Sequence, residues 1–477
     1  MENQMDLCEH GVASLRNALL SGATSCVEHA TALIARTQAL AHLNGYVDFD
    51  PVPFLAQARQ ADVDIARGVS APLLGVPLAL KDNINTTGFP TGVGTRTLRG
   101  RIPAADAEIV KRLKQSGAII SGKAGMHELA FGISSNNGVT GAIRNPWALD
   151  RIPGGSSGGS AVVVAAGLVP GAIGTDTGAS VRLPAALCGI AGLRPTVGRV
   201  PGTGIAPISS TRDTAGPMAR SIADLALLDT ALTGDAAGLA KVDLRGLRLG
   251  IPNDRFWTPL DASVAAVMDD TRKELQRAGV DFVELDLPGL DALNNSVGFP
   301  VGLFEFMAEM PDYLKASGHP LDIEALLAGI GSPDVAGILR PLLGSGAIPE
   351  PVYRAALADR QRLQELYRRT FAQHQVRALA FPTSALTARP LGTDDTVEFL
   401  GQRCPAFMIY IRNTDPGSNA GIPGLSLPAG IGPDGLPVGL ELDGPAGSDR
   451  DLLAIGAALE TVLPPIGRPS LRSPEGA

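Results

Sequence analysis

The chain has 477 residues, 45% hydrophobic and 18% charged, enough apolar material for a large core and too much for intrinsic disorder. Lys and Arg number 40 against 48 Asp and Glu, a net charge of −8 with no basic cluster, and aromatics are only 4%. Those values exclude an electrostatic or stacking surface for nucleic acid.

Four scattered cysteines (Cys8, Cys26, Cys188, Cys404) lack disulfide or zinc-ligand spacing. A reducing, cytoplasmic setting is therefore expected, with no metal. In chain order, MENQMDLCEHGVASL has no basic-then-apolar leader. Residues 12–41 read as one amphipathic helix, running from Leu15, Leu19 and Leu20 to Ala32, Leu33 and Ile34. A second helix covers 53–68 and closes at Gly68. GVPLALKDN (75–83) is an apolar run of strand length ending in Lys81, and a helix over 106–117 feeds a strand at 118–123 ending in Lys123.

RIPGGSSGGSA (151–161) leads into the apolar SAVVVAAG (160–167), read as a buried helix because a glycine-rich turn precedes it. Pro170 and glycines interrupt the apolar stretch beyond it, so no run reaches the roughly 20 residues a membrane helix needs. VPGAIGTDTG (169–178) is another strand, and SVRLPAALCG (180–189) a helical turn. Next come a strand at 247–252, a helix at 261–279 and a strand at 280–286; Val264, Val267, Met268, Thr271, Leu275 and Ala278 share a face of that helix. Residues 287–350 read as short helices and loops, a cap-like excursion over a pocket. Strands at 378–384, 425–430 and 437–444 and a helix at 451–463 complete the chain. This alternation predicts an α/β fold with a mixed central sheet covered by helices on both faces. It also predicts a single domain over 1–477, although length alone suggests about three.

The glycine–serine segments carry the chemistry. GGSSGG lacks the lysine of a P-loop and the spacing of a dinucleotide fingerprint, and an apolar segment succeeds it too closely for a linker. A hydrolytic serine needs a base. None of His10, His29, His42, His127, His319 and His374 lies in a glycine-rich elbow, and no serine here sits in a G-x-S-x-G elbow. A distant triad partner remains open. A buried, neutral lysine can serve instead. Lys81 and Lys123 both end apolar runs, and the residues alone do not choose between them.

GVPLALKDNINTTG, PGGSSGGSA and GTDTGASVRLPAALCGIAGLRPTVGRV resemble, in order, the motifs of the amidase signature family. The resemblance continues through STRDTAGPMARSIADLALLD (210–229) and GIPGLSLPAG to GLPVGLELDG, most of the chain, with a signature core at about 70–230. It implies a Ser-cisSer-Lys triad: Ser180 as nucleophile, Ser156 as bridge after a cis peptide bond from Gly155, Lys81 as base, and Lys123 demoted to a neighbour. The N–H groups of Thr177, Gly178, Ala179 and Ser180 would form the oxyanion hole, and Ala130, Phe131, Gly132 and Met126 would border the acyl pocket. Ser157 would support the triad or cap the helix after it, and Asp176 and Arg182 would brace the nucleophile loop. Two departures stand out: Gly178-Ala179-Ser180 replaces the usual Gly-Gly-Ser, and GKAGMHELAFG (122–132) lacks the usual Thr-Asn before its methionine.

Within the family, the bacterial indoleacetamide and mandelamide hydrolases look most similar. The resemblance implies a serine hydrolase of small amides with apolar or aromatic acyl groups, using no cofactor. Carbamates, anilides and esters yield to the same mechanism. The amidase subunit of a tRNA-dependent amidotransferase is a different reading, opposed by the acidic charge. No nucleic-acid or membrane partner is expected, and a homodimer is compatible with the sequence.

Overall fold

Strands of three to eight residues, most of them apolar, build an 11-stranded mixed sheet in a computed structural model that describes residues 7–253 and 255–471. Its strands are β1 (Tyr46–Asp48), β2 (Pro77–Lys81), β3 (Ile119–Ala124), β4 (Gly171–Asp176), β5 (Ala191–Arg194), β6 (Thr214–Ala219), β7 (Arg248–Pro252), β8 (Asp281–Leu285), β9 (Ala378–Pro382), β10 (Gly424–Ile431) and β11 (Pro437–Asp443). They lie in the order β1-β3-β2-β4-β6-β5-β10-β11-β9-β7-β8. β3-β2-β4 and β9-β7-β8 run parallel, and the remaining pairs are antiparallel.

The helices are α1 (Val12–Ser21), α2 (Cys26–Ala39), α3 (Pro51–Ala66), α4 (Glu108–Gln115), α5 (Gly158–Ala165), α6 (Arg182–Cys188), α7 (Ile222–Thr233) and α8 (Ala262–Arg277). After β8 come α9 (Leu290–Ala316), α10 (Ile323–Ala328), α11 (Pro333–Leu339), α12 (Glu350–His374), α13 (Ala406–Ile411), α14 (Asp415–Ala420) and α15 (Asp449–Glu460). Among the described residues no helix is long and apolar enough to cross a membrane. The first six residues of the N-terminal stretch lie outside the described part.

The two-residue period of a strand divides the core. Leu78, Leu80, Ile173, Leu425 and Leu440 face a layer that includes residues of α1–α4, α7, α8 and α15. Ala79, Ala124, Ala172 and Met218 face the other way, toward α5, whose Val162, Val163 and Val164 are fully buried. A helix buried all round shows no amphipathic period, which is why 160–167 is ambiguous in sequence. Lys81 comes directly after Leu80, so it points with Ala79 toward α5.

Two expectations need correction. The helix read over 12–41 is two: Gly22 closes α1 with φ +72, and Ser25 opens α2 in a reciprocal capping box with Glu28. The region 287–350 is not only short helices, because α9 runs 27 residues straight through Pro300 and Pro311. Each proline removes an N–H donor. The continuous face holding Val297, Val301, Phe306 and Met310 buries enough apolar surface to keep the helix whole. Strands β1, β5 and β6 had no clear signal; glycine, alanine and a proline dominate the last two.

Candidate active site

The parallel pairs β2/β3 and β2/β4 bring their C-terminal ends together, and both lysines with them. Lys81 is fully buried, and its Nζ donates to Ser156 Oγ at 2.8 Å and to Thr175 Oγ1 at 2.8 Å. Burial pushes its pKa down to about 7, against the opposing pull of Asp176 and Asp213. Lys123 is equally buried but registered against Leu80, and it faces the opposite layer. There it donates to the Ile84 carbonyl and to Thr91 Oγ1 at 3.0 Å, away from the serines. Burial lowers its pKa to about 8. One step of strand register thus separates the two candidates.

The Gly155–Ser156 peptide bond is cis. The next residue joins the two serine segments: the Ser157 N–H donates to the Ser180 carbonyl at 3.2 Å. Ser157 stands at the N-cap of α5, yet its hydroxyl makes no cap bond. It donates instead to the Thr175 carbonyl at 3.1 Å and accepts from the Thr175 N–H at 3.3 Å. Ser157 therefore ties the turn to β4 rather than capping the helix.

Beyond β4 the chain turns through 177–180 into α6. No protein acceptor among the described residues takes the N–H groups of Thr177, Gly178, Ala179 or Ser180. Ala179 is 2% exposed, packs with Ile133, Leu183 and Leu187, and does not have a positive φ. Alanine thus costs nothing in backbone strain at this position.

The loop is held from beneath by buried charges. Asp176 accepts from Arg182 Nε at 3.1 Å, Arg194 Nη1 at 3.0 Å and the Val181 N–H at 3.0 Å. Burial would raise the Asp176 pKa, but the two guanidinium groups outweigh it and hold the carboxyl well below the usual range. Arg182 also donates to Glu441 at 2.9 Å and to the Gly178 carbonyl at 3.2 Å.

Thr177 to Ser180 line a cavity of about 270 Å³ with Ala130, Phe131 and Gly132. A Cβ at Gly132 would overlap the His127 ring, so only glycine fits that wall. α9 forms the facing wall through Asn294, Gly298 and Gly302, and Phe299, Phe407 and Met408 stand at its rim. Met126 is a correction: it does not line the cavity but is fully buried behind it with Val93 and Leu129. None of the six histidines lines the cavity either, and Cys188 is buried with its thiol pKa pushed up by burial. Among the described residues no group of three His, Cys, Asp or Glu side chains could hold a metal ion.

The sequence profile of the amidase family matches residues 28–453. The chain belongs to the amidase family. The indoleacetamide hydrolase of Rhizobium radiobacter is 46% identical over 440 residues, covering 92% of this chain and 94% of its own. The mandelamide hydrolase of Pseudomonas putida is 40% identical over 453 residues, covering 91% and 87%. Among solved structures, the native peptide amidase from Stenotrophomonas maltophilia superposes with a TM-score of 0.85 at 32% identity, covering 97% and 98%. This amidase is accordingly a hydrolase of C–N bonds.

Sequence reasoning missed part of the amidase site. Arg212 donates to the Thr177 carbonyl at 3.2 Å, to the Gly298 carbonyl at 2.8 Å and to Asp415 at 2.8 Å, joining the loop to α9 and α14. Asp213 accepts from Thr177 Oγ1 at 2.5 Å. Both lie inside the STRDTAGPMARS motif that carried the resemblance, but no local pattern assigns them partners up to 203 residues away.

Proposed function

We propose that this amidase cleaves small primary amides with aromatic or apolar acyl groups through an acyl-enzyme on Ser180. The observation that carries the reading is the buried Lys81 ammonium in contact with Ser156, whose turn is bonded to the Ser180 carbonyl beside an apolar cavity. Near neutral pH a substantial fraction of Lys81 is neutral and able to accept a proton.

Ser180 Oγ attacks the amide carbonyl, its proton passes to Ser156, and the Ser156 proton passes to Lys81. The N–H groups of 177–180 receive the oxyanion, and each such donor is worth about 3–4 kcal/mol. Collapse breaks the C–N bond, and the relay returns a proton to the departing nitrogen. Water then repeats the sequence on the ester, releasing the acid and restoring Ser180. Ser157, Asp176 and Arg182 act as positioning residues, holding the serine turn and nucleophile loop in register. Ala130, Phe131 and Gly132 border the acyl group. The indoleacetamide and mandelamide hydrolases support an aryl acyl group.

Carbamates, anilides and esters are the second reading, since the same oxyanion forms from each. The deciding experiment is a hydrolysis screen with matched arylacetyl groups on a primary amide, anilide, ester and carbamate, reading ammonia, amine and acid. The primary amide is expected to give the highest kcat/KM. Turnover confined to the carbamate or ester would overturn the assignment.

A further inference from the structure

Asn294, Gly298, Gly302 and Phe306 succeed one another at one-turn spacing on α9, all buried. The first three line the active-site cavity. Phe306 is buried in the core beside it, edge-on to the cavity residue Phe131 with centroids 4.9 Å apart. Asn294 makes the wall polar, and a Cβ at Gly298 would press on Asn419 and Asp415 at 3.3 and 3.4 Å, so the open place in the wall is at Gly302. A Cβ built at Gly302 would meet only Arg212 Nη1, at 3.5 Å, an ordinary contact. Gly302 has no positive φ either. Neither backbone conformation nor a close approach requires glycine here, and in a helix interior glycine is a cost. What its absent side chain leaves is room in the cavity.

We propose that Gly302 is a specificity-determining residue of the acyl pocket. The recess over Gly302 receives the flat ring of an aryl acyl group, with Phe131 at its edge. The departing nitrogen of a primary amide needs no pocket, so this space serves the acyl side. Aromatic walls favour edge-on or offset contact with a ring, which fits a planar substituent better than a branched aliphatic one. The inference rests on the amidase reading above and adds the residue that sets acyl size.

The test compares Gly302→Ala and Gly302→Val with wild type on phenylacetamide and propionamide. Gly337→Ala serves as control, a helical glycine with open space around it that does not line the cavity. The ratio of kcat/KM for phenylacetamide over propionamide is expected to fall at least tenfold in Gly302→Val and less in Gly302→Ala, mainly through KM for the aryl substrate. Gly337→Ala should leave the ratio unchanged. Calorimetric binding of phenylacetamide in a Ser180→Ala background, with and without Gly302→Val, needs no turnover. Failure of this arm is therefore separable from failure of the proposed chemistry. An unchanged ratio with unchanged affinity, or equal losses on both substrates, would overturn the proposal.

Discussion

A lysine ammonium enclosed by Ser156 and Thr175 faces opposing demands, because burial drives its proton off while Asp176 and Asp213 hold it on. Its folded pKa of about 7 lies below the ordinary 10.5. The unfolded chain therefore binds more protons between those values, and Lys81 costs stability in full below pH 7. The cost shrinks as pH rises and is gone above 10.5. Chemical unfolding of wild type and Lys81→Met at pH 6 and pH 10 should show the difference moving in favour of wild type by up to about 4 kcal/mol. A pH-independent difference would mean that the lysine is not desolvated. Activity tracks the same group with kcat/KM rising through pH 7 to a plateau, and Lys81→Met should lose at least a hundredfold more than Lys123→Met. Ser180→Ala should abolish both turnover and labelling by a fluorophosphonate; retained labelling would place the nucleophile elsewhere. The residue types of the proposed relay were legible in the sequence, and the family resemblance pointed to Lys81, but composition and patterning alone did not choose between the lysines. That choice turns on which side of the sheet each strand end presents, and a register step fixes that only once β2 and β3 are paired.

At the level of elements, the turn from β4 to α6 depends on charges supplied by distant strands. Arg194 comes from β5 and Glu441 from β11, so the Asp176–Arg182 pair expected from sequence is one part of a larger buried cluster. Removing one member leaves the others unpaired in a dry site, which costs about 3–5 kcal/mol. Asp176→Asn should therefore lower the thermal midpoint sharply and cut kcat at least tenfold, measured by calorimetry and steady-state kinetics. A variant with unchanged stability would show the cluster to be dispensable. Local patterns announce a pair six residues apart, but not a partner 259 residues away. The same reasoning explains α9. Its prolines locally disfavour a continuous helix, while the burial that overrides them comes from α12 and from the core residues at 126–131, which no local window contains.

Across the whole molecule, β11 lies between β10 and β9 and so joins two halves of the sheet built from different stretches of chain. On one side stand the strands up to β6, with Lys81 and the serine turns; on the other, β7 and β8 with the helices after them. Mixed order of this kind places the last strand in the interior, eighth of eleven, and the two halves of the sheet meet only through it. The single domain read from the alternation of elements therefore makes a physical prediction: the chain unfolds as one cooperative unit. Its two tryptophans probe both sides. Trp147 donates to the Cys188 carbonyl at 2.9 Å at the end of α6, and Trp257 donates to the Ala380 carbonyl at 3.1 Å on β9. In Trp147→Phe and Trp257→Phe, each with one remaining tryptophan, the urea midpoint by tryptophan fluorescence should match that variant's own midpoint by far-UV circular dichroism. A fluorescence transition that separates from the dichroism in either variant would divide the chain into independently folding parts.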